Sequence, residues 1–466
     1  MVHRLASAAL ALLLLASLAV AEEPRRLPPP NKASVVDDAV TPTVYQPLFG
    51  VACEPGDDPL TPRYEVGAVF DKGVFIRGVD PQRDPYSLYV GARLQLRHTG
   101  FTRTADEWTD SAGNTREVRN RNNFDAERVR INFQGTAVDP NLSYYFILDG
   151  DSDGQSNVDM LFYAFTYKFD DALQLRVGRW KAASDREWLV SSRFLTLADR
   201  SMATEYFRSG ITDGLWLLGD LGDGWRYEAS LSNGLRSSTR RGFEYDDNLG
   251  VAATIYHDPL GDFGPDLIDY ACSPAPLVRY GASAAFDKTD DRSDAGFPLG
   301  DNNFVTISDG TQLSEVGALG PGARVVSDRI MKASLDFGMK YRGWFMSSEW
   351  FFRSIQDISA TAPIFVSQID DHGYRLDTGV FIVPKRLDVI GRVSHVSGPF
   401  GDSYEYAAGS NYYWGSGTTD GKLNDRISKL TFDVTYVDGS PVTSPLNDMV
   451  AGDRGVLFRT QVQIGF

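Results

Sequence analysis

From Tyr86 to the C-terminal Phe466 the chain is written in segments that alternate apolar and polar residues with period two. Val90, Ala92, Leu94 and Leu96 fall on one face of the first segment, and Arg93, Gln95 and Arg97 on the other. Arg128 to Gln134, Lys332 to Tyr341 and Phe458 to Phe466 repeat the pattern. Successive side chains of a strand point to opposite faces, so each segment carries one apolar and one polar wall. The segments run about 9–14 residues, the length of a tilted membrane strand. After residue 21 no stretch approaches the roughly 18–20 apolar residues that a spanning helix needs. A mean hydropathy of −0.25 is what strands half in lipid and half in water average to.

About sixteen such segments can be counted: 86–103, 124–137, 141–150, 158–169, 172–180, 210–219, 224–235, 248–257, 277–288, 328–341, 343–356, 371–383, 387–397, 404–414, 426–438 and 454–466. Short connections such as 170–171, 222–224 and 384–386 alternate with long ones at 104–123, 181–209, 289–327 and 439–453. That asymmetry belongs to a closed membrane barrel, with tight turns on one rim and loops on the other. Two connections on the short side, 258–276 and 415–425, are too long and read as insertions. A soluble sandwich would have shorter strands. The expected fold is therefore all-β: a transmembrane antiparallel β-barrel of about sixteen strands. Aromatics near segment ends (Tyr144, Tyr145, Phe146, Trp225, Trp344, Trp350, Tyr412, Tyr413, Trp414) suit its interfacial girdles.

The N-terminus reads as an export signal. His3 and Arg4 precede an apolar run from Leu5 to Leu18, and Ala19-Val20-Ala21 supplies small residues for cleavage. The expected organisation is a signal peptide at 1–21, a Pro-rich periplasmic leader at 22–84 that includes a short hairpin within 66–80, and the barrel at 85–466. Cys53 and Cys272 are compatible with a disulfide in an oxidising compartment or with two separate structural cysteines.

If the aliphatic positions face lipid, the intervening ones face a lumen, and their charges can be counted. About fourteen Arg and Lys stand against about eight Asp and Glu on those faces, although the formal net charge of the chain is −16. The acids that set the total lie largely in loops and the leader. A ring of cations behind a low-dielectric wall favours anions, and the arginine fork suits phosphate. Arg93, Arg97, Arg128, Arg130, Arg176 and Arg392 are the candidate anion-pathway residues. The first four cluster on consecutive strands, with no acid assigned to the lumen face beside them. The competing expectation is that lumen arginines pair with lumen acids and stiffen the wall.

Several stretches resemble one family. Tyr86 to Leu96 is similar to its first-strand motif L-G-G-R-L-Q. Val177-Gly178-Arg179-Trp180-Lys181, with Leu189-Val190-Ser191-Ser192 and Asp199-Arg200-Ser201, resembles V-G-Q-F-K, L-T-S-S and E-R-S. Arg459 to Phe466 resembles R-T-Q-L-Q-L-x-F. In that order they look like the phosphate-selective porin O/P family, over roughly residues 70 to 466. The resemblance implies a trimeric, sixteen-stranded outer-membrane porin for small inorganic or organic anions, phosphate or polyphosphate among them. It implies that 181–209, after the fifth strand, folds inward as the constriction loop. Lys181, Arg193 and Arg200 in that segment, and Asp159 near the fourth strand's start, are its candidate constriction residues. The family's central lysines have no clear counterpart, since Lys181 is the segment's one lysine.

Other chemistry lacks support. Asp149-x-Asp151-x-Asp153-Gly154 opens like a calcium loop, but Met160 stands where the bidentate Glu belongs. His98, His257, His372 and His395 have no metal-ligand spacing, and no G-x-S-x-G accompanies them. The expectation is a non-enzymatic outer-membrane channel without metal or cofactor, in contact with outer-membrane lipid and not with nucleic acid. The alternative is a structural or adhesive barrel with a plugged lumen and partner-binding loops.

Overall fold

The computed structural model describes residues 63–69, 72–150, 158–237, 246–290, 304–415, 425–444 and 447–466. The signal peptide, most of the leader, Cys53, Asp151 and Asp153 lie outside them. Twenty strands follow in chain order: β1 (Tyr64–Val69), β2 (Gly73–Gly78), β3 (Ser87–Arg103), β4 (Glu107–Thr109), β5 (Thr115–Glu117), β6 (Arg121–Ala137), β7 (Asp139–Asp149), β8 (Asp159–Lys168), β9 (Gln174–Lys181), β10 (Ile211–Gly222), β11 (Trp225–Ser232), β12 (Gly250–His257), β13 (Leu277–Asp290), β14 (Val325–Tyr341), β15 (Trp344–Ala360), β16 (Ile369–Val383), β17 (Leu387–Gly398), β18 (Gly401–Gly415), β19 (Asp425–Asp438) and β20 (Arg454–Gly465).

Sixteen of these close a ring. From β3 to β6 and on through β20 each strand pairs antiparallel with the next, and β20 returns to β3 with Gly465 opposite Arg93 and Gly455 opposite Arg103. Closure leaves no backbone edge, the condition for crossing lipid with strands. The expected strands match the observed ones within a few residues; 387–397, for example, is Leu387–Gly398. β1 and β2 form a hairpin at the short-turn rim. β2 pairs with β3 through Val74–Val90 and Ile76–Leu88, prolonging the line of β20 along the same edge.

Burial is inverted relative to a soluble protein. On β3 and β6, Leu94 (41% exposed) and Val129 (40%) face outward, while Arg97 (0%) and Arg128 (1%) are enclosed. Such a surface is stable only against an apolar solvent. Aromatic clusters mark both edges of the apolar band: Trp225, His257 and Tyr280 near the short turns, and Tyr374, His395 and Tyr404 near the long loops. Two expected girdle residues point inward instead. Tyr145 packs on Trp180 across the lumen face, and Tyr413 is buried with its hydroxyl on Asp388. Consecutive residues of a strand cannot share a face, so Tyr144-Tyr145-Phe146 and Tyr412-Tyr413-Trp414 each had to divide.

Candidate functional site

The connection between β9 and β10, residues 182–210, folds into the barrel. It carries a short helix at Arg186–Leu189, a 3-10 turn at Ser192–Phe194 and a helix at Met202–Phe207, whose cap Ser201 accepts a hydrogen bond from Thr204 N–H. Such irregular backbone leaves many N–H and C=O groups without partners of their own, and enclosed groups must find them elsewhere. The wall supplies them. Glu349 accepts from the N–H groups of Arg186 (2.5 Å) and Glu187 (3.1 Å), Asp433 from Ala198 (3.0 Å) and Glu405 from Met202 (2.6 Å). Lys429 donates to the Leu195 carbonyl and Lys332 to that of Phe207, both at 2.8 Å. Much of the charge on the interior of β14 to β20 is thus a socket for the loop's backbone.

The loop also brings its own carboxylates to the wall's arginines. Asp199 accepts from Arg97 and Arg128, each at 2.9 Å. Arg97 further meets Asp448 at 2.8 Å and Glu127 at 3.2 Å. Arg392 holds Asp377 at 2.8 Å and Glu187 at 3.2 Å. Burial alone would raise the Asp199 carboxyl, but Arg128, Arg97 and Arg200 outweigh it and hold the group below the usual carboxylate range. The expectation of four cations with no acid beside them is therefore corrected. A bulge skips Glu127 between Ala126 (opposite Leu96) and Arg128 (opposite Gln95), and this adds Glu127 to the buried inner cluster. Strict alternation would have put Glu127 outside.

A second segment enters from the opposite rim. Residues 258–276, between β12 and β13, bury Leu267 with Val190 and Phe194, and bury Ile268 and Tyr270 with Leu197, Phe345 and Ile390. Two chain segments thus meet inside the barrel through an apolar seam. The wall from β15 to β20 is closed behind them: Glu349, Arg375, Asp377, Arg392, Asp433 and Arg459 are all buried.

The lining of β3 and β6 to β11 is less enclosed. There Arg93, Arg130, Tyr145, Arg176, Lys181 and Glu228 are half-buried, the Arg130 and Arg176 side chains 14% exposed. Here Arg93 and Arg130, cross-strand partners, both donate to Ser192 Oγ at 2.9 and 3.0 Å. Arg130 also pairs with Asp149 (2.6 Å) and Arg176 with Glu228 (3.1 Å). Arg93 makes no ion pair among the described residues. Half-exposed Arg193 follows Ser192 in the chain.

The expected site residues therefore divide. Arg93, Arg130 and Arg193 gather about Ser192. Arg97, Arg128 and Arg392 are fastenings of the loop. Arg200 is buried, donating to the carbonyls of Glu187 (3.3 Å) and Val190 (3.0 Å). Lys181 donates to the carbonyls of Trp188 (2.6 Å) and Val190 (3.0 Å). Asp159 is exposed at the start of β8, opposite Asp149. Ser192 and Glu127 join these clusters although the sequence does not single them out. Ser192 lay in a motif already noted, whereas Glu127 needed the bulge.

Residues 104–265 match the model of the family described as phosphate-selective porin O and P. No curated protein matches the sequence. Among solved structures, an anion-selective porin from Comamonas acidovorans is 11% identical, with a TM-score of 0.52 over 82% of this chain and 100% of that one. The outer-membrane OmpT of Vibrio cholerae is 11% identical, with a TM-score of 0.47 over 82% of this chain and 98% of that one.

Proposed function

We propose, from the premise that this chain belongs to the phosphate-selective porin O and P family and is a porin of the outer membrane, that it is a passive diffusion channel preferring small anions. Solute passes along the half-exposed wall of β3 and β6 to β11. It meets its strongest attraction at Arg93 and Arg130 beside Ser192. The observation that carries this reading is the placement of two guanidinium groups on one hydroxyl oxygen, one of them without a carboxylate partner among the described residues. Like charges opposite each other on a sheet are unfavourable, and an anion between them relieves the repulsion. Planar forked donors match the oxygens of inorganic phosphate, which is the solute we assign alongside chloride-sized anions. The assembly proposed is a homotrimer, as in the family.

The test is reconstitution in planar bilayers under a potassium chloride gradient. The expected reversal potential has the sign of anion preference, and millimolar phosphate reduces the chloride current. A cation-signed potential overturns the proposal. The close packing of residues 182–210 and 258–276 against the β15 to β20 wall favours a second reading, a plugged structural or adhesive barrel, which negligible conductance would establish instead.

A further inference from the structure

Most connections at the short-turn rim are tight, such as 223–224, 342–343 and 384–386, but residues 258–276 turn upward into the barrel. What the segment does there is specific. Asp258 accepts from both Nε and Nη2 of Arg279 at 2.5 Å, and reaches Arg226 at 3.5 Å. Asp262 takes Arg226 at 3.0 Å. Lys340 donates to the Phe263 carbonyl at 2.7 Å, with its ammonium 4.1 Å from the Phe263 ring centroid. Three wall cations, on β11, β13 and β14, are thereby engaged by one short stretch. The wall is shaped for it: a Cβ on Gly338 of β14 would lie 2.7 Å from the Phe263 ring, so only glycine leaves that ring its seat.

We infer that residues 258–276 form the periplasmic half of the constriction, and that Asp258 and Asp262 are specificity-determining residues which neutralise the exit by engaging Arg226 and Arg279. This rests on the channel reading above. The cationic character of the path is then concentrated at Arg93 and Arg130, and an anion leaving that station meets a wall whose cations are already satisfied. Weak attraction at the exit favours release, which a conducting pore needs as much as entry.

Three variants test it in planar bilayers: Asp258→Asn, Asp262→Asn and Gly338→Val. Either Asp→Asn change removes one negative charge from the exit, with Arg226 still held by Asp220 at 3.1 Å, and the anion-to-cation permeability ratio is expected to rise roughly two- to five-fold. Gly338→Val unseats Phe263, and single-channel conductance is expected to rise. The Asp262 side chain is 68% exposed, so Asp262→Asn removes no packing and decides the question even where Asp258→Asn does not fold. A conducting wild type, with reversal potential unmoved by Asp262→Asn and conductance unmoved by Gly338→Val, overturns this inference and leaves the channel reading standing. A wild type that does not conduct removes both.

Discussion

Arg93 on β3 and Arg130 on β6 stand directly opposite each other, and their guanidinium groups converge on one acceptor, Ser192 Oγ, at 2.9 and 3.0 Å. A hydroxyl oxygen carries no net charge, so the two hydrogen bonds satisfy geometry without cancelling the repulsion. Only Arg130 has a carboxylate, Asp149 at 2.6 Å. Elsewhere on the wall Arg97, Arg128 and Arg392 are each matched by buried acids. The contrast separates cations that hold the loop through carboxylates from Arg93, which makes no ion pair among the described residues.

Replacing Arg93 by alanine is therefore expected to lower anion preference without unfolding the barrel. A unit charge passing about 7 Å away at an effective dielectric near 40 gains about 1 kcal/mol, roughly five-fold in permeability ratio. The reversal potential in a salt gradient measures it. Arg97→Ala should instead destabilise the loop, because the buried carboxylates Asp199, Asp448 and Glu127 lose the cation they share; a buried pair broken by removing one partner costs about 3–5 kcal/mol.

Asp199 makes the matching case from the loop side. Asp199→Asn leaves Arg97 and Arg128 short of a counter-charge, and the expected result is noisier current and a lower urea midpoint. The pH dependence has a definite sign. A carboxyl held below its ordinary value stabilises the fold fully above about pH 4–5, and loses that contribution only as pH falls through the depressed value. The difference in channel noise between Asp199→Asn and wild type should thus stay constant from pH 7 down to about pH 4 and shrink only below it. A difference that vanishes between pH 6 and 7 would contradict the assignment of Asp199 as the clamp.

The alternation of Val90 to Arg97 and its repeats was enough to place the barrel strands, because a half-lipid strand must expose one apolar face along its whole length. The site was less legible. Face assignment located Arg93 and Arg97 on the same wall, yet one is half-exposed and the other enclosed, and the difference is made by Asp199 and Asp448, which lie far away in the chain. Glu127 was hidden by a bulge that period-two counting cannot see. The length of 258–276 excludes a tight turn, but nothing local in its sequence indicates that Leu267 and Ile268 meet Val190 and Leu197 inside the barrel.

The outward face should respond to charge in a way the lumen does not. Leu335 on β14 is exposed beside Trp350 of β15, within the apolar band. Leu335→Arg is expected to cost about 2–4 kcal/mol if it lies near the bilayer midplane, read from urea-dependent folding into lipid vesicles. A change below about 0.5 kcal/mol would mean that this face does not meet lipid.

Two glycines on neighbouring strands give a sharper comparison. Gly409 on β18 faces inward where the loop presses on the wall: an added Cβ would lie 2.6 Å from Leu197 Cδ2 and 2.6 Å from the Phe432 carbonyl oxygen. Leu197 is held by Ile268 and Tyr270, and the carbonyl belongs to the sheet, so neither contact can yield cheaply. Gly391 on β17 faces outward with nothing within 4 Å of the same position. Gly409→Ala is expected to cost about 1–3 kcal/mol, the usual penalty of overpacking, and to loosen the loop, seen as larger current fluctuations. Gly391→Ala should be neutral or stabilising by up to about 1 kcal/mol, since alanine has less backbone entropy to lose in a strand. Equal effects at the two positions would mean that residues 182–210 do not rest against β18 as described.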